Sequence, residues 1–113
     1  MATVRRFCGN NILEISNGSV REWCGNYIYQ LSGNGVRRWS GNYVYEISGD
    51  NIREWCGNNV LQVSGGNVRR WCGNTVARID GNFIRDPYGS IIYEINGFLS
   101  HQELMMLIAI LFA

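Results

Sequence analysis

The residues best spaced to do chemistry are six arginines. Arg5, Arg21, Arg37, Arg53, Arg69 and Arg85 recur every sixteen residues. A guanidinium is a planar fork of donors, so such a line could read an anionic polymer or an acidic partner. A second column at the same spacing, Glu14, Gln30, Glu46, Gln62 and Glu94, offers acceptors within the chain. Internal pairing between the two columns is the expected use. The formal net charge of +1 fits that reading and argues against bulk nucleic acid or an anionic membrane as partner.

The other columns carry less chemistry. Cys8, Cys24, Cys56 and Cys72 share one place in the pattern, with Ser40 in the gap. Zinc needs convergent ligands, which a linear ladder does not supply, so no metal is expected and a small side chain beside a turn explains the column. Trp23, Trp39, Trp55 and Trp71, with Phe7 in the same place, could stack on sugars or bases. They keep step with the other apolar columns, so core packing is expected of them. Tyr27, Tyr29, Tyr43, Tyr45 and Tyr93 are then the aromatics left for an exposed binding face. His101 is the only histidine and has no partner in the pattern, so it is read as a surface residue. There is no nucleophile–base set, no phosphate-binding loop and no paired carboxylate. The expectation is a non-enzymatic chain with no cofactor.

The elements that must position these columns are repeats. Six sixteen-residue units run from Val4 to Leu99 without insertion or deletion. Each splits into two octads whose first seven places are a β-branched residue, two variable ones, a large apolar one, a small one, then Gly-Asn or similar. Strand chemistry alternates with turn chemistry throughout, so the body is all-β with very short strands.

Two architectures fit. In a β-solenoid, six sixteen-residue coils of two short strands stack in parallel into a rod about 29 Å long. In an antiparallel β-meander or barrel, every Gly-Asn is a hairpin turn. The solenoid is the leading expectation, on two grounds. The column Arg6, Glu22, Arg38, Glu54, Arg70, Asp86 alternates in sign, and stacked coils would put each charge about 4.8 Å from an opposite one. The apolar first, fourth, ninth and twelfth places of each repeat do not alternate with period two, and a tightly bent coil could turn all four inward. The meander has its own support, since it sets the Arg column beside Glu14, Gln30, Glu46 and Gln62.

The last repeat degenerates to Arg85-Asp86-Pro87-Tyr88-Gly89-Ser90, and the single proline predicts a sheet edge. Residues 1–98 form the repeat domain, and 99–113 an apolar C-terminal helix. Ser100 and Glu103 have capping-box spacing. From Leu104 to Ala113 every residue is apolar. The helix is too short to span a membrane and has no polar face to lie on one. It is expected to cap the last coil and to bury Leu104, Leu107, Ile108, Ile110, Leu111 and Phe112 against a second copy or a protein partner.

Residues Ile92-Tyr93-Glu94-Ile95-Asn96-Gly97-Phe98-Leu99-Ser100 and Glu103-Leu104 resemble a group of short uncharacterised bacterial tandem β-repeat proteins. These share repeats of the Ile-Tyr-x-Ile-x-Gly-Asn type and a closing Gly-Phe-Leu-Ser-x-x-Glu-Leu helix. The resemblance implies architecture and a bacterial origin, and assigns no substrate. The N-terminus opens on a polar pattern rather than an apolar leader, so a cytoplasmic location with reduced cysteines is expected. The functional expectation is a structural or protein-interaction scaffold that self-associates through its terminal helix. The alternative is a polymer-binding module, for glycan or nucleic acid, using the Arg and Tyr ladders.

Overall fold

Hairpin chemistry at every eighth residue decides the architecture. The computed structural model describes residues 2–113 and contains twelve antiparallel strands closed into one barrel. They are β1 (Ala2–Arg6), β2 (Asn11–Ser16), β3 (Ser19–Glu22), β4 (Tyr27–Ser32), β5 (Gly35–Arg38), β6 (Tyr43–Ser48), β7 (Asn51–Glu54), β8 (Asn59–Ser64), β9 (Asn67–Arg70), β10 (Thr75–Asp80), β11 (Phe83–Arg85) and β12 (Ile91–Gly97). One helix, α1 (His101–Phe112), follows. The expected solenoid is corrected to the barrel: each strand pairs antiparallel with the next, and β1 pairs with β12, Val4 opposite Ile95.

Each repeat contributes one short and one long strand, joined by two kinds of turn. At one end of the barrel the turns have two residues. Asn17-Gly18 and Gly65-Gly66 hold positive φ at both positions, as a type I′ turn requires. Gly33, Gly49 and Gly81 hold it at the first position only, the type II′ pattern for Gly-Asn and Gly-Asp. At the other end the loops are longer, as in Arg6-Phe7-Cys8-Gly9, where the Gly9 N–H donates to the Arg6 carbonyl at 2.9 Å. These two ends are called the turn end and the loop end below.

A bulge re-aims every long strand. Val4 faces Leu13 and Arg5 faces Asn11, so Ile12 is the extra residue. This explains why the apolar places do not alternate. Val4, Val20, Val36, Ile52, Val68 and Ile84 point inward and are fully buried. The long strands add Leu13, Ile15, Ile47, Leu61, Ala77 and Ile95 to the core. The ninth place of each repeat is the bulge, and the fourth, the Trp place, lies in the loop.

The helix fills the lumen. Met105, Met106, Leu107, Ile108 and Ala109 are consecutive, and each is at most 1% exposed. Five consecutive residues cover every side of a helix, so α1 is enclosed all round. The same core cluster contains the inward residues of the wall. A helix apolar on every face suits that place. Twelve strands at about 4.8 Å spacing make a ring about 58 Å around before tilt widens it, wide enough for wall side chains plus a central helix. Twelve helical residues rise about 18 Å. That matches the thickness of the molecule, a disc 36 × 34 × 18 Å. The expected cap is thus an axle. Leu107 and Ile108, assigned to an interface, are buried in the chain's own barrel, and Leu104, Ile110, Leu111 and Phe112 are half-buried.

Closure also corrects Pro87. Trp23 donates its backbone N–H to Ile12 at 3.0 Å, Trp71 to Val60 at 3.0 Å and Phe7 to Ile92 at 3.1 Å. Pro87 has no N–H, so that seam lacks the equivalent bond. The proline marks one missing link in a closed wall rather than an edge.

Candidate functional site

The outer wall carries the arginine column. Val4 points inward, so Arg5 points outward, and the same holds in every repeat. Across the strand pair stands the acceptor column, Glu14 opposite Arg21 and Gln30 opposite Arg37. Arg5 pairs with Glu94, Arg21 with Glu14 and Arg53 with Glu46. Arg37 donates to Gln30 at 2.9 Å and Arg69 to Gln62 at 3.0 Å. Opposite Arg85 of the sixth repeat Arg78 takes the acceptor's place, and Arg85 turns to Asp80 at 3.1 Å. The Glu14 hydrogen bond and charge hold Arg21 above its ordinary pKa. Exposed to solvent on the Arg side, pairs of this kind orient the side chains more than they stabilise the fold. They leave the six guanidinium forks engaged rather than poised for a ligand.

The aromatic columns are only partly where the sequence put them: Tyr27 and Tyr43 stand on the outer wall as expected, but the tryptophans join them there. Trp23, Trp39, Trp55 and Trp71 are 42–43% exposed on the outer wall near the loop end, not in the core. Trp39 stacks on Tyr27 at 4.6 Å and Trp55 on Tyr43 at 4.4 Å. Tyr29, Tyr45 and Tyr93 are partly buried against the lumen core. Tyr93 meets Phe112 edge-on at 6.4 Å. Under Trp71 the wall residue is Asn59, and a groove of about 620 Å³ opens between Trp71, Arg53, Asn58 and Asn59. A second groove of about 470 Å³ shares Arg53 and Asn59 and reaches Asn51, whose Oδ1 is buried without a partner.

Cys8, Cys24, Cys56, Cys72 and Ser40 lie exposed at the loop tips with φ of 57–59°. They occupy the position of a type II turn that demands positive φ, where Gly or Asn is usual. The ladder is neither packed in the core nor convergent: among the described residues no group of His, Cys, Asp and Glu could hold a metal. His101 is exposed in the first turn of α1.

The turn end anchors the start of the helix. The Ser100 hydroxyl accepts from the Glu103 N–H at 3.2 Å, and Glu103 accepts from the Ser100 N–H at 3.0 Å. The second Glu103 oxygen accepts from the Gly18 N–H at 2.9 Å, tying the cap to the β2–β3 turn. Burial alone would raise the Glu103 pKa, but the Ser100 and Gly18 N–H groups and the Ser100 hydroxyl hold it below its ordinary value. Gln102 donates to Asn34 at 2.6 Å.

The loop end is where α1 finishes, and there the alternating charges reappear. Arg6, Glu22, Arg38, Glu54 and Arg70 each lie two residues beyond a buried Val or Ile, on the lumen face, at the mouth. Asp86 completes the ring and also accepts from the Tyr88 and Ser90 N–H groups. Arg6 stands opposite Tyr93, Glu22 opposite Leu13, Arg38 opposite Tyr29 and Glu54 opposite Tyr45. Burial raises the Tyr45 pKa, Tyr29 and Glu54 add to it, and Arg38 opposes them. Ring neighbours are two strands, about 9.6 Å, apart rather than the spacing of stacked coils. At that distance an opposite pair in water gains about 0.4 kcal/mol before salt screening. No ion pair forms within this ring among the described residues. The sequence showed the alternation but put it in the wrong geometry, and nothing in it said that Ile110, Leu111 and Phe112 would sit at the ring's centre.

Comparison with family models, with curated proteins and with solved structures finds no match to this chain. Among the described residues no helix is long and apolar enough to cross a membrane.

Proposed function

We propose that this protein is a non-enzymatic structural scaffold that associates with further copies of itself. The observation that carries the reading is the filled lumen. In a barrel the interior is the usual ligand site, and here the chain's own helix occupies it, fully buried over Met105 to Ala109. What the molecule offers is therefore its outside: a flat disc with aromatic residues near one end and a net charge of only +1. Low net charge and exposed aromatic surface both favour association. The association belongs to the outer surface and the helix tip, not to the whole helix. A cytoplasmic location remains part of this proposal. Light scattering in line with size exclusion tests it. A discrete particle heavier than the 12.8 kDa chain supports the scaffold, and a 12.8 kDa monomer at all concentrations overturns it.

A second reading, polymer binding, is favoured by the groove beside Trp71. Beneath Trp71 the indole covers Asn59 where Trp39 and Trp55 cover tyrosines. An aromatic plane flanked by Asn58, Asn59 and Arg53 is chemistry that suits a sugar ring or a base. Retention on a polysaccharide or a salt-dependent shift with a single-stranded oligonucleotide, lost in Trp71→Ala, would favour it over the scaffold.

A further inference from the structure

We propose that the loop end is the self-association surface, and that two copies of this chain meet there face to face. The inference rests on the scaffold reading and names the surface it uses. Arg6, Glu22, Arg38, Glu54, Arg70 and Asp86 ring the mouth with strictly alternating sign. Such a ring is complementary to its own copy. A two-fold axis lying in the face reverses the order of the places, and in half of its settings every Arg faces an acid. A two-fold contact must be self-complementary, and this one is so at all six places.

The centre of the face completes the case. Ile110, Leu111 and Phe112 are half-buried at the mouth, in the middle of the charged ring. An apolar centre inside a polar rim is the anatomy of an interface. The disc is 36 by 34 Å across, which accommodates the about 800 Å² per partner of a standard complex. Within one copy the ring makes no ion pair among the described residues, so its charges are available. Asp86 is the weakest member, being committed in part to Tyr88 and Ser90.

Charge exchange on the full chain tests this. In R6E/R38E/R70E the ring is acidic throughout. In E22R/E54R it is basic except for Asp86, which keeps its loop contacts. The wild type is expected to run at twice 12.8 kDa at low salt and to fall toward 12.8 kDa as salt rises. Each variant alone should be monomeric, and an equal mixture should regain the doubled mass. The single exchanges R38E and E54R should each weaken the dimer about tenfold or more, which keeps the test alive should a multiple variant fail to melt cooperatively. A dimer whose mass ignores all these exchanges overturns the loop end as the surface while leaving the scaffold standing. A wild type that never exceeds 12.8 kDa overturns both.

Discussion

Glu103 links the helix to the wall at both of its oxygens: it accepts from the helix cap through one and from the Gly18 turn through the other. Its pKa is lowered on folding, so its contribution to stability is complete above the unfolded value near 4.5 and is lost as pH falls through the lower folded value. Glu103→Gln should therefore flatten the acid side of a Tm-against-pH profile and change little of its shape at neutral pH. Ser100→Ala removes the other half of the box and should cost about 1 kcal/mol by denaturant melts. The loop-tip cysteines should behave in the opposite way. Their φ of 57–59° is strained for a side chain other than Gly or Asn. Cys56→Asn should raise stability by about 0.5–1 kcal/mol in the same assay, and a loss would mean that the thiol makes a contact the turn geometry hides. At this scale the sequence was legible where a residue acts on its neighbours: the capping box and the Gly-Asn turns are both read directly from spacing. It was less legible for Trp, where apolarity pointed inward while the residue's place just before a turn residue takes it out of the strand.

Among the elements, strand length, turn type and the Arg–Glu columns follow from local chemistry. Whether neighbouring strands run parallel or antiparallel does not, because a sixteen-residue period is common to both arrangements. The sign alternation argued for stacked coils only while strand neighbours were assumed to be repeat neighbours. The bulge at Ile12 and its equivalents was invisible for a related reason. It looks like a break in period two, and a bent coil breaks the period as well. The tryptophan and tyrosine pairs are the elements' outer fasteners. A double-mutant cycle on Tyr27 and Trp39 should give a coupling of about 0.5–1.5 kcal/mol. Between Asn59 and Trp71, where no second ring exists, the coupling should be near zero. For the helix, Leu107→Ala should cost about 2–5 kcal/mol, the value for a filled core. Leu107→Asp should abolish cooperative unfolding. Were Leu107 at a subunit interface instead, the Asp variant would give a well-folded monomer.

As a whole molecule the protein is a ring whose size is set by its axle. Six repeats make twelve strands, and twelve strands enclose one helix. Removing residues 36–51 excises one repeat in perfect register, so strand pairing is kept and Arg53 and Trp55 take the places of Arg37 and Trp39 beside Gln30 and Tyr27, although Glu22 and Glu54 become ring neighbours. The ring would nonetheless shrink to ten strands around an unchanged helix. A loss of the cooperative melt and of the near-ultraviolet signal is expected, and a fully stable ten-strand variant would show that the helix does not fill the lumen. The number of repeats and the terminal helix were both plain in the sequence, but the link between them was not. Closure is a property of the count and curvature of all the strands together, and no window of residues carries it. Hydrogen exchange of the backbone amides of Met105 to Ala109 tests this arrangement most directly. An enclosed helix opens only with the barrel, so these amides should be as protected as those of Val20 and Ile52, at a level independent of protein concentration. Fast exchange, or protection that appears only as concentration rises, would place the helix outside the barrel and contradict the account.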